Sequence, residues 1–284
     1  MLTRRRFTTL SAAAAGALLT APLESKAAAT RSGLEFGVQL YTVRNDMSDL
    51  GAMLGLIHSI GYASVETFSG VYTRPAKELK SLIASSGLKA PSGHFDYETL
   101  EEKVDYAAEL GVEYMICPMI PESRRDSLEG FHKAAKHLNR IAARAQAAGL
   151  KFGYHAHNYE FKKLGDERGF DVLMREFDPA VRIELDVYWA TEAGQNPVEL
   201  MRQNRKRLEL VHIKDRKLGA FTVDLDLHSP RFAEAGSGTI DWKAVLGEAK
   251  RLGVKQYFVD QDWTNLPIEQ CLRVNWNYLS QLNV

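Results

Sequence analysis

The stretch AAGLKFGYHAH, residues 147–157, ends one helix and starts one strand. Upstream of it, apolar residues recur at helical spacing from residue 127 to residue 150, which predicts a long amphipathic helix. Gly149 interrupts this pattern two residues before the strand begins at Lys151. The residues at the end of the strand, HNYEF at 157–161, are rich in groups that bind metals and carry protons. The stretch therefore predicts a helix followed by a strand that ends in reactive side chains.

The same order of strand and helix repeats along the chain. Apolar runs bounded by turn residues predict eight strands, at residues 34–42, 63–68, 89–95, 114–120, 151–157, 181–189, 208–215 and 255–262. Helical periodicity predicts a helix after each strand, at residues 49–62, 76–88, 99–112, 127–150, 169–178, 196–207, 241–254 and 267–282. Strict alternation favours a parallel sheet, and eight such units indicate an α/β fold of one domain, a single (β/α)8 TIM barrel. An open doubly wound sheet is the alternative, which the lack of a GxGxxG motif after the first strand disfavours.

The composition is that of a globular protein with a large core, 45% hydrophobic and 25% charged over 284 residues. Basic and acidic residues balance to a formal net charge of zero, so we expect no nucleic-acid partner. The two cysteines, Cys117 and Cys271, fall in apolar runs and are interpreted as buried thiols rather than a disulfide. The sequence is compatible with a monomer and with a homo-oligomer.

Residues 1–29 are interpreted as a twin-arginine export signal that precedes a domain at residues 30–284. Arg4 and Arg5 stand before Phe7, and a short alanine-rich apolar run with a small-residue end follows. The run is too short for a stable membrane span. We therefore expect the export machinery as a partner and a periplasmic or exported protein. A disordered N-terminus with chance arginines is the alternative.

Polar residues cluster where the predicted strands end. In a (β/α)8 barrel, catalytic groups lie at the carboxyl ends of the strands and in the loops that follow. The residues that meet this condition are Gln39, Glu66, His94, His155, His157, Asp186, His212, Lys214, Asp260 and Asp262. By contrast, His58, His132 and His137 lie within predicted helices and are interpreted as surface or packing residues.

The ends of four strands each offer a type of metal ligand. These are Asp186, His212, a carboxylate of the last strand, and a group from YHAHNYEF at 154–161. One imidazole with several carboxylates suits Mn²⁺, Mg²⁺, Co²⁺ or Zn²⁺ and argues against a structural thiolate zinc site. The pattern therefore predicts one divalent metal ion. For any single histidine, a structural or substrate-binding role is the alternative. Glu184 shares the strand face of Asp186 and is interpreted as a deeper carboxylate, satisfied by a basic group such as Lys214.

Three other features have two interpretations each. Lys214 is either a cation that stabilises an enolate or a rim lysine in a salt bridge. Gly236 and Gly238 either let the backbone approach a ligand or belong to a flexible loop before a helix. Three aromatic residues at predicted strand ends, Tyr41, Tyr188 and Trp189, each either present an aromatic face to a sugar or pack in the core.

Eight stretches carry a family resemblance and occur in order from residue 37 to residue 262. They are GVQLYTVR, GY followed by VE, APSGHF, GYHAHNYEF, ELDVYW, VHIKD, GSGTIDW and YFVDQD. With them the sequence resembles the sugar phosphate isomerase/epimerase family, whose members are xylose-isomerase-like barrels. The resemblance covers nearly all of the chain after residue 29.

The resemblance implies one divalent metal ion held by Glu, Asp, His and Glu from the fifth to the eighth strand. Asp186 and His212 match this set, whereas Asp260 stands where a glutamate is usual. His155 stands near the position of the fifth-strand ligand, and Glu160, five residues on, is the stronger carboxylate candidate. The predicted metal ligands are therefore Glu160, Asp186, His212 and Asp260.

The resemblance also implies the chemistry. The predicted catalytic residues are His157, Lys214, His155 and Glu66, and the predicted substrate-binding residues are Gln39, His94, Trp189, Gly236 and Gly238. Family members act on a carbohydrate through an enediolate, which implies an isomerase or epimerase of a sugar or keto sugar. Since both altered ligand positions belong to the glutamate pair that usually moves the proton, a lyase or dehydratase is the alternative. Its substrate would be a 3-keto-glycoside or another oxidised sugar. A sugar-binding barrel without catalysis is the third hypothesis.

Overall fold

The computed structural model describes residues 30–284, and the predicted export signal lies outside these residues. Eight parallel strands form a closed barrel: β1 (Gly37–Gln39), β2 (Ser64–Thr67), β3 (Lys89–His94), β4 (Tyr114–Cys117), β5 (Lys151–Ala156), β6 (Arg182–Asp186), β7 (Leu208–Ile213) and β8 (Gln256–Val259). Each strand pairs with the next one in the chain, and β8 closes the barrel on β1. The predicted single (β/α)8 barrel is confirmed.

The helices of the described chain surround the barrel. They are α1 (Leu50–Ile60), α2 (Ala76–Ser85), α3 (Leu100–Leu110), α4 (Leu128–Ala147), α5 (Gly169–Glu176), α6 (Val187–Glu192), α7 (Pro197–Gln203), α8 (Trp242–Leu252) and α9 (Ile268–Gln281). Polar side chains cap the first turns of several of them: Asp49, Ser127, Asn196 and Asp241 each accept a backbone N–H there. Gly61 ends α1 at φ 128°, a conformation that a residue with a Cβ atom rarely adopts.

Apolar packing occurs on both faces of the strands. The larger cluster lies between the barrel and the helices, and includes Val65, Phe152, Leu185 and Trp242. A small cluster inside the barrel consists of Tyr114, Ile116, Leu210 and Phe258. Leu210 is two residues before His212, so both point inward. The polar residues at the carboxyl ends of the strands therefore rest on an apolar layer.

All eight strands are shorter than predicted, and at two of them a side chain ends the strand. β1 ends at Gln39, whose side chain accepts the Tyr41 N–H at 3.0 Å as a 3₁₀ turn begins. β6 ends at Asp186, and residues 187–192 form the helix α6 instead of continuing the strand. Asp186 Oδ1 accepts the Trp189 N–H at 2.9 Å, so one carboxylate both ends the strand and caps the helix.

Both cysteines are buried free thiols, as the sequence predicts. Within residues 30–284, every helix is too short or too polar to cross a membrane.

Candidate metal centre and active site

The carboxyl ends of the strands surround a cavity of about 210 Å³. This volume suits a ligand smaller than a drug-sized molecule, whose pockets measure about 300–1,000 Å³. The residues that line the cavity are Gln39, Tyr41, Phe68, Ser69, His94, Asp96, Pro118, Met119, His155, His157, Leu227, Asp260 and Asp262. Both Gln39 and His94, the first two predicted substrate-binding residues, are among them.

Asp186 and His212 meet Asp260, and Asp260 lines this cavity. Asp186 and His212 are register partners on neighbouring strands, and Asp260 follows β8 directly. His212 Nδ1 lies 3.9 Å from Asp186 Oδ2 and 3.4 Å from Asp260 Oδ2. All three side chains are buried. The structure thus brings together three of the four predicted metal ligands. Asp186, His212 and Asp260 are called the metal group below.

The chemistry of this group fits a divalent cation. Asp186 Oδ2, His212 Nδ1 and Asp260 Oδ1 are buried atoms without a hydrogen-bond partner in the described part of the chain. A buried polar atom without a partner costs about 1–3 kcal/mol, more when it is charged, and coordination of a cation removes that cost. An imidazole nitrogen with carboxylate oxygens is a suitable donor set for Zn²⁺, Mn²⁺ or Co²⁺.

Lys214 enters the same group from the residue after β7. Its ammonium donates to Asp260 Oδ2 at 2.7 Å and contacts Asp262. It also lies 3.2 Å from Asp186 Oδ2, without the alignment of a hydrogen bond. Burial would lower the pKa of Lys214, but the three carboxylates hold that pKa well above its ordinary value. Lys214 is therefore a buried cation and not a lysine of the rim.

A second layer of charged groups lies behind the first. Glu66 Oε2 is 2.7 Å from His212 Nε2 and 3.1 Å from His94 Nε2. Glu184 Oε2 is 2.7 Å from His94 Nε2. Burial would lower the pKa of His94, but these two carboxylates raise it to about 10. Glu66, which the sequence predicts to be catalytic, is fully buried and lies off the cavity wall. Its position is that of a residue that supports the histidines.

His155 and His157 stand on the cavity wall at the end of β5. His155 Nε2 lies 4.0 Å from Asp186 Oδ2, so His155 is the fifth-strand side chain that reaches the metal group. Burial lowers the pKa of both histidines, and the charges of His155 and Lys214 lower that of His157 further. His157 Nδ1 has no hydrogen-bond partner among the residues described. His157 is therefore a neutral imidazole with an unbonded ring nitrogen.

Glu160 does not join the metal group, contrary to the prediction from the sequence. The Tyr154 hydroxyl donates to Glu160 Oε1 at 2.5 Å, and the His157 backbone N–H donates to Oε2 at 2.9 Å. Neighbouring side chains of a strand point to opposite faces, so Tyr154 holds Glu160 on the face away from His155. Burial raises the pKa of Glu160 to about 7. These contacts give Glu160 the role of stabilising the turn after β5.

Gly236 and Gly238 also differ from their predicted role, because neither lines the cavity. Their backbone N–H groups donate to Asp215 Oδ2, at 2.9 and 3.1 Å. The indole of Trp242 donates to the same oxygen at 3.0 Å. The motif GSGTIDW therefore wraps around Asp215 and fixes the loop before α8.

Trp189 packs in the core, which was the second interpretation of this residue. Its side chain is 1% exposed and does not line the cavity. Its ring centroid lies 5.4 Å from that of His157 and 5.5 Å from that of Phe232. Trp189 thus supports His157 from behind.

Sequence reasoning missed six residues of the cavity wall: Phe68, Ser69, Asp96, Pro118, Met119 and Leu227. Five of them lie within two residues of the ends of β2, β3 and β4, so the same strand-end rule could have found them. Leu227 comes from the long loop between β7 and α8, and no local signal marks it.

Comparison with protein-family models agrees with this geometry. Residues 54–265 match the model of the xylose isomerase-like TIM barrel. The chain belongs to this family. The resemblance to sugar phosphate isomerases/epimerases is thereby confirmed, and an enzyme superfamily is indicated.

Proteins similar to this chain carry different activities in their names. The inosose dehydratase of Clostridium tetani (strain Massachusetts / E88) is 26% identical over 251 residues, which cover 71% of this chain and 80% of that protein. The crystal structure of a sugar phosphate isomerase/epimerase from Parabacteroides distasonis ATCC 8503 matches with a TM-score of 0.74 at 25% identity, covering 90% of this chain and 96% of that one. The IolI protein, solved with a bound zinc atom, has a TM-score of 0.67 at 15% identity and covers 86% of this chain and 96% of its own. At this identity, the comparison with IolI shows only that the two proteins have the same fold.

Proposed function

We propose that this barrel is a divalent-metal-dependent lyase that eliminates water, or another leaving group, from a small keto sugar or keto polyol. The main support for the proposal is a pair of titratable side chains on the cavity wall, His157 and Asp262. Their pKa values are shifted in opposite directions. Burial lowers the pKa of His157 well below its ordinary value. Burial and the charge of Asp260 raise the pKa of Asp262 to about 6, against the effect of Lys214. One group is suited to take a proton and the other to give one.

The proposed metal ligands are His155, Asp186, His212 and Asp260, with Mn²⁺, Mg²⁺, Co²⁺ and Zn²⁺ as the candidate ions. Formal charge supports a bound cation. Five buried carboxylates surround this site, and they outnumber the cations that oppose them, which are Lys214 and His94, whose pKa is raised to about 10. The carboxylates are Glu66, Glu184, Asp186, Asp260 and Asp262. When bound, a divalent cation polarises a carbonyl and stabilises negative charge on its oxygen.

The side chains of the protein would carry out the elimination. His157 takes the proton from the carbon next to the substrate carbonyl. The Lys214 ammonium lies behind the cavity wall against Asp260 and Asp262, and its positive charge stabilises the negative charge that develops as this C–H bond breaks. The bond to the hydroxyl on the following carbon then breaks, and Asp262 supplies the proton that turns the leaving hydroxide into water. The products are an unsaturated ketone and water, so atoms and charge balance.

Two further observations support this substrate class. Among the described residues, the cavity wall contains neither lysine nor arginine, which favours a substrate without a phosphate group. The curated relative from Clostridium tetani is named a dehydratase. A periplasmic location of the reaction stays a prediction from residues 1–29.

An isomerase or epimerase is the second candidate. The similar structure from Parabacteroides distasonis, described as a sugar phosphate isomerase/epimerase, supports it. The same proton abstraction by His157 would begin that reaction, and a protonated group would return the proton at another carbon or on the other face. The two reactions differ in their products and can be separated by mass.

The deciding experiment is an incubation of the metal-loaded protein in D₂O with keto sugars, keto polyols and 3-keto-glycosides. A lyase releases water or the aglycone, so the expected product is lighter than its substrate. An isomerase gives a product of the same formula that carries deuterium. Tight binding without any product would leave the sugar-binding barrel as the remaining hypothesis.

Two variants connect that activity with the proposed residues. His157→Gln and Asp262→Asn are each expected to lower kcat by about 10²–10⁴-fold. His132→Gln is the control, because His132 lies on α4 and pairs with Glu176 outside the site. Full activity in both site variants would refute the assigned proton transfer.

A further inference from the structure

Glu184 is the point at which three histidines meet. Its Oε2 atom lies 2.7 Å from His94 Nε2, 3.0 Å from His155 Nδ1 and 3.3 Å from His212 Nε2. Glu184 is fully buried and is the register partner of His155 on the neighbouring strand. One carboxylate therefore restrains imidazoles from three strands of the barrel.

The other ring nitrogens of two of these histidines face the metal group. His155 binds Glu184 through Nδ1 and turns Nε2 toward Asp186 Oδ2, at 4.0 Å. His212 approaches Glu184 through Nε2 and turns Nδ1 toward Asp186 and Asp260, at 3.9 and 3.4 Å. Glu184 binds His155 Nδ1, whereas the hydrogen-bond partner of His212 Nε2 is Glu66 at 2.7 Å, with Glu184 at 3.3 Å. His212 Nδ1, on the side of Asp186 and Asp260, has no hydrogen-bond partner in residues 30–284.

A carboxylate that accepts the second N–H of a histidine sets which ring nitrogen is free to bind a metal. We propose that Glu184 is a positioning residue that holds His155, and together with Glu66 also His212, so that each presents its remaining nitrogen to the metal ion. This inference rests on the metal site of the proposed function. It adds a role for a residue that neither lines the cavity nor belongs to the proposed ligands.

The alternative is that the ion sits deeper, among His94, His155, Glu184 and His212, whose ligand atoms also lie within 4.8 Å of one another. Glu184 would then be a ligand itself. The two arrangements make opposite predictions for His94 and Asp260. Only the deeper site needs His94, and only the proposed site needs Asp260.

The test is a Co²⁺ titration followed by visible absorption, with Glu184→Gln and Glu184→Ala variants. Gln keeps the shape and one acceptor but removes the charge, and Ala removes both. Loss of such a supporting carboxylate weakens metal binding by about 10–100-fold. We therefore expect the Kd for Co²⁺ to rise by about 10-fold in Glu184→Gln and by about 100-fold in Glu184→Ala. At saturating Co²⁺ we also expect the absorption bands of Glu184→Ala to shift, because ligand geometry changes.

Glu192→Gln is the matched control. Glu192 is an equally buried carboxylate, but it pairs with Arg216 and Arg231 and contacts none of the three histidines. We expect its Co²⁺ affinity and spectrum to match those of the wild type, with folding of every variant checked by near-ultraviolet circular dichroism.

Three other outcomes would contradict the positioning role of Glu184, the location of the ion or the metal site itself. Wild-type affinity and spectrum in folded Glu184→Ala would overturn the positioning role. Loss of Co²⁺ in His94→Gln but not in Asp260→Asn would place the ion in the deeper group and make Glu184 a ligand. A wild-type protein that binds none of the four candidate metals would overturn the metal site of the proposed function, and the inference with it.

Discussion

The Tyr154 hydroxyl donates a 2.5 Å hydrogen bond to Glu160, on the opposite face of β5 from His155. This bond decides between the two fifth-strand candidates for the metal, because it holds the Glu160 carboxylate away from Asp186. We therefore expect His155→Ala to weaken metal binding by at least about tenfold and Glu160→Gln to leave it unchanged. Competition with a chromophoric chelator measures both affinities. The opposite ranking of the two variants would return Glu160 to the ligand set.

The buried position of Glu160 predicts a pH-dependent effect on stability. Burial raises the pKa of Glu160 from 4.5 to about 7 in the folded chain. The folded state therefore holds this proton more tightly than the unfolded state. The resulting stabilisation is complete below pH 4.5 and is lost as the pH rises through about 7.

Glu160→Gln cannot titrate and so removes this pH dependence. We expect the free energy of unfolding of the variant, relative to the wild type, to rise by about 3 kcal/mol between pH 4.5 and pH 7. Urea denaturation at pH 4.5, 6 and 8 measures the difference. A difference that stays constant with pH would show that Glu160 titrates normally in the folded protein.

The fold could be predicted because it depends on local patterns. Apolar periodicity marks each strand and helix, and the order of elements implies a barrel. The pattern failed at residues 187–189, because IELDVYW at 183–189 alternates like one continuous strand. There the Asp186 side chain accepts the Trp189 N–H and starts a helix. A bond between a side chain and the backbone competes with periodicity and is invisible to it.

The site could be predicted only in part, because a strand-end position says where a side chain starts but not which partner it meets. Asp186, His212 and Asp260 come together, since β6, β7 and β8 are neighbours in the barrel. Glu160 and Gly236 do not join them, because other side chains bind them: the Tyr154 hydroxyl binds Glu160, and the Asp215 carboxylate binds the Gly236 N–H. Spacing in the sequence does not contain these contacts.

Asp186 has two roles that different substitutions separate. Its Oδ1 caps α6 and its Oδ2 faces the metal group. Asparagine keeps the capping oxygen but not the charge, and alanine keeps neither. We expect both variants to lose metal affinity, and Asp186→Ala to be less stable than Asp186→Asn by about 1 kcal/mol when a chelator is present. Urea denaturation with EDTA provides this comparison, and equal stability of the two variants would argue against the cap.

A metal ion at the proposed site would compete with Lys214 for the same carboxylates. The Lys214 ammonium lies 2.7 Å from Asp260 Oδ2 and 3.2 Å from Asp186 Oδ2, and both residues are proposed metal ligands. Lys214→Met keeps the aliphatic stem and removes the charge, which leaves buried carboxylates without their cation. Such a loss costs about 3–5 kcal/mol. We therefore expect the metal-free variant to be strongly destabilised.

A divalent cation would restore part of that charge balance. An ion that binds only the folded state stabilises it by about 2.7 kcal/mol at a hundredfold excess over Kd, and a lower Kd increases this gain. We expect the rise in melting temperature on addition of Mn²⁺ or Zn²⁺ to be larger for Lys214→Met than for the wild type. Lys250→Met serves as the control, because the Lys250 ammonium donates to the carbonyls of Ser32 and Val284, away from the site. A smaller metal-induced rise in Lys214→Met than in the wild type would mean that Lys214 assists metal binding instead of competing with it.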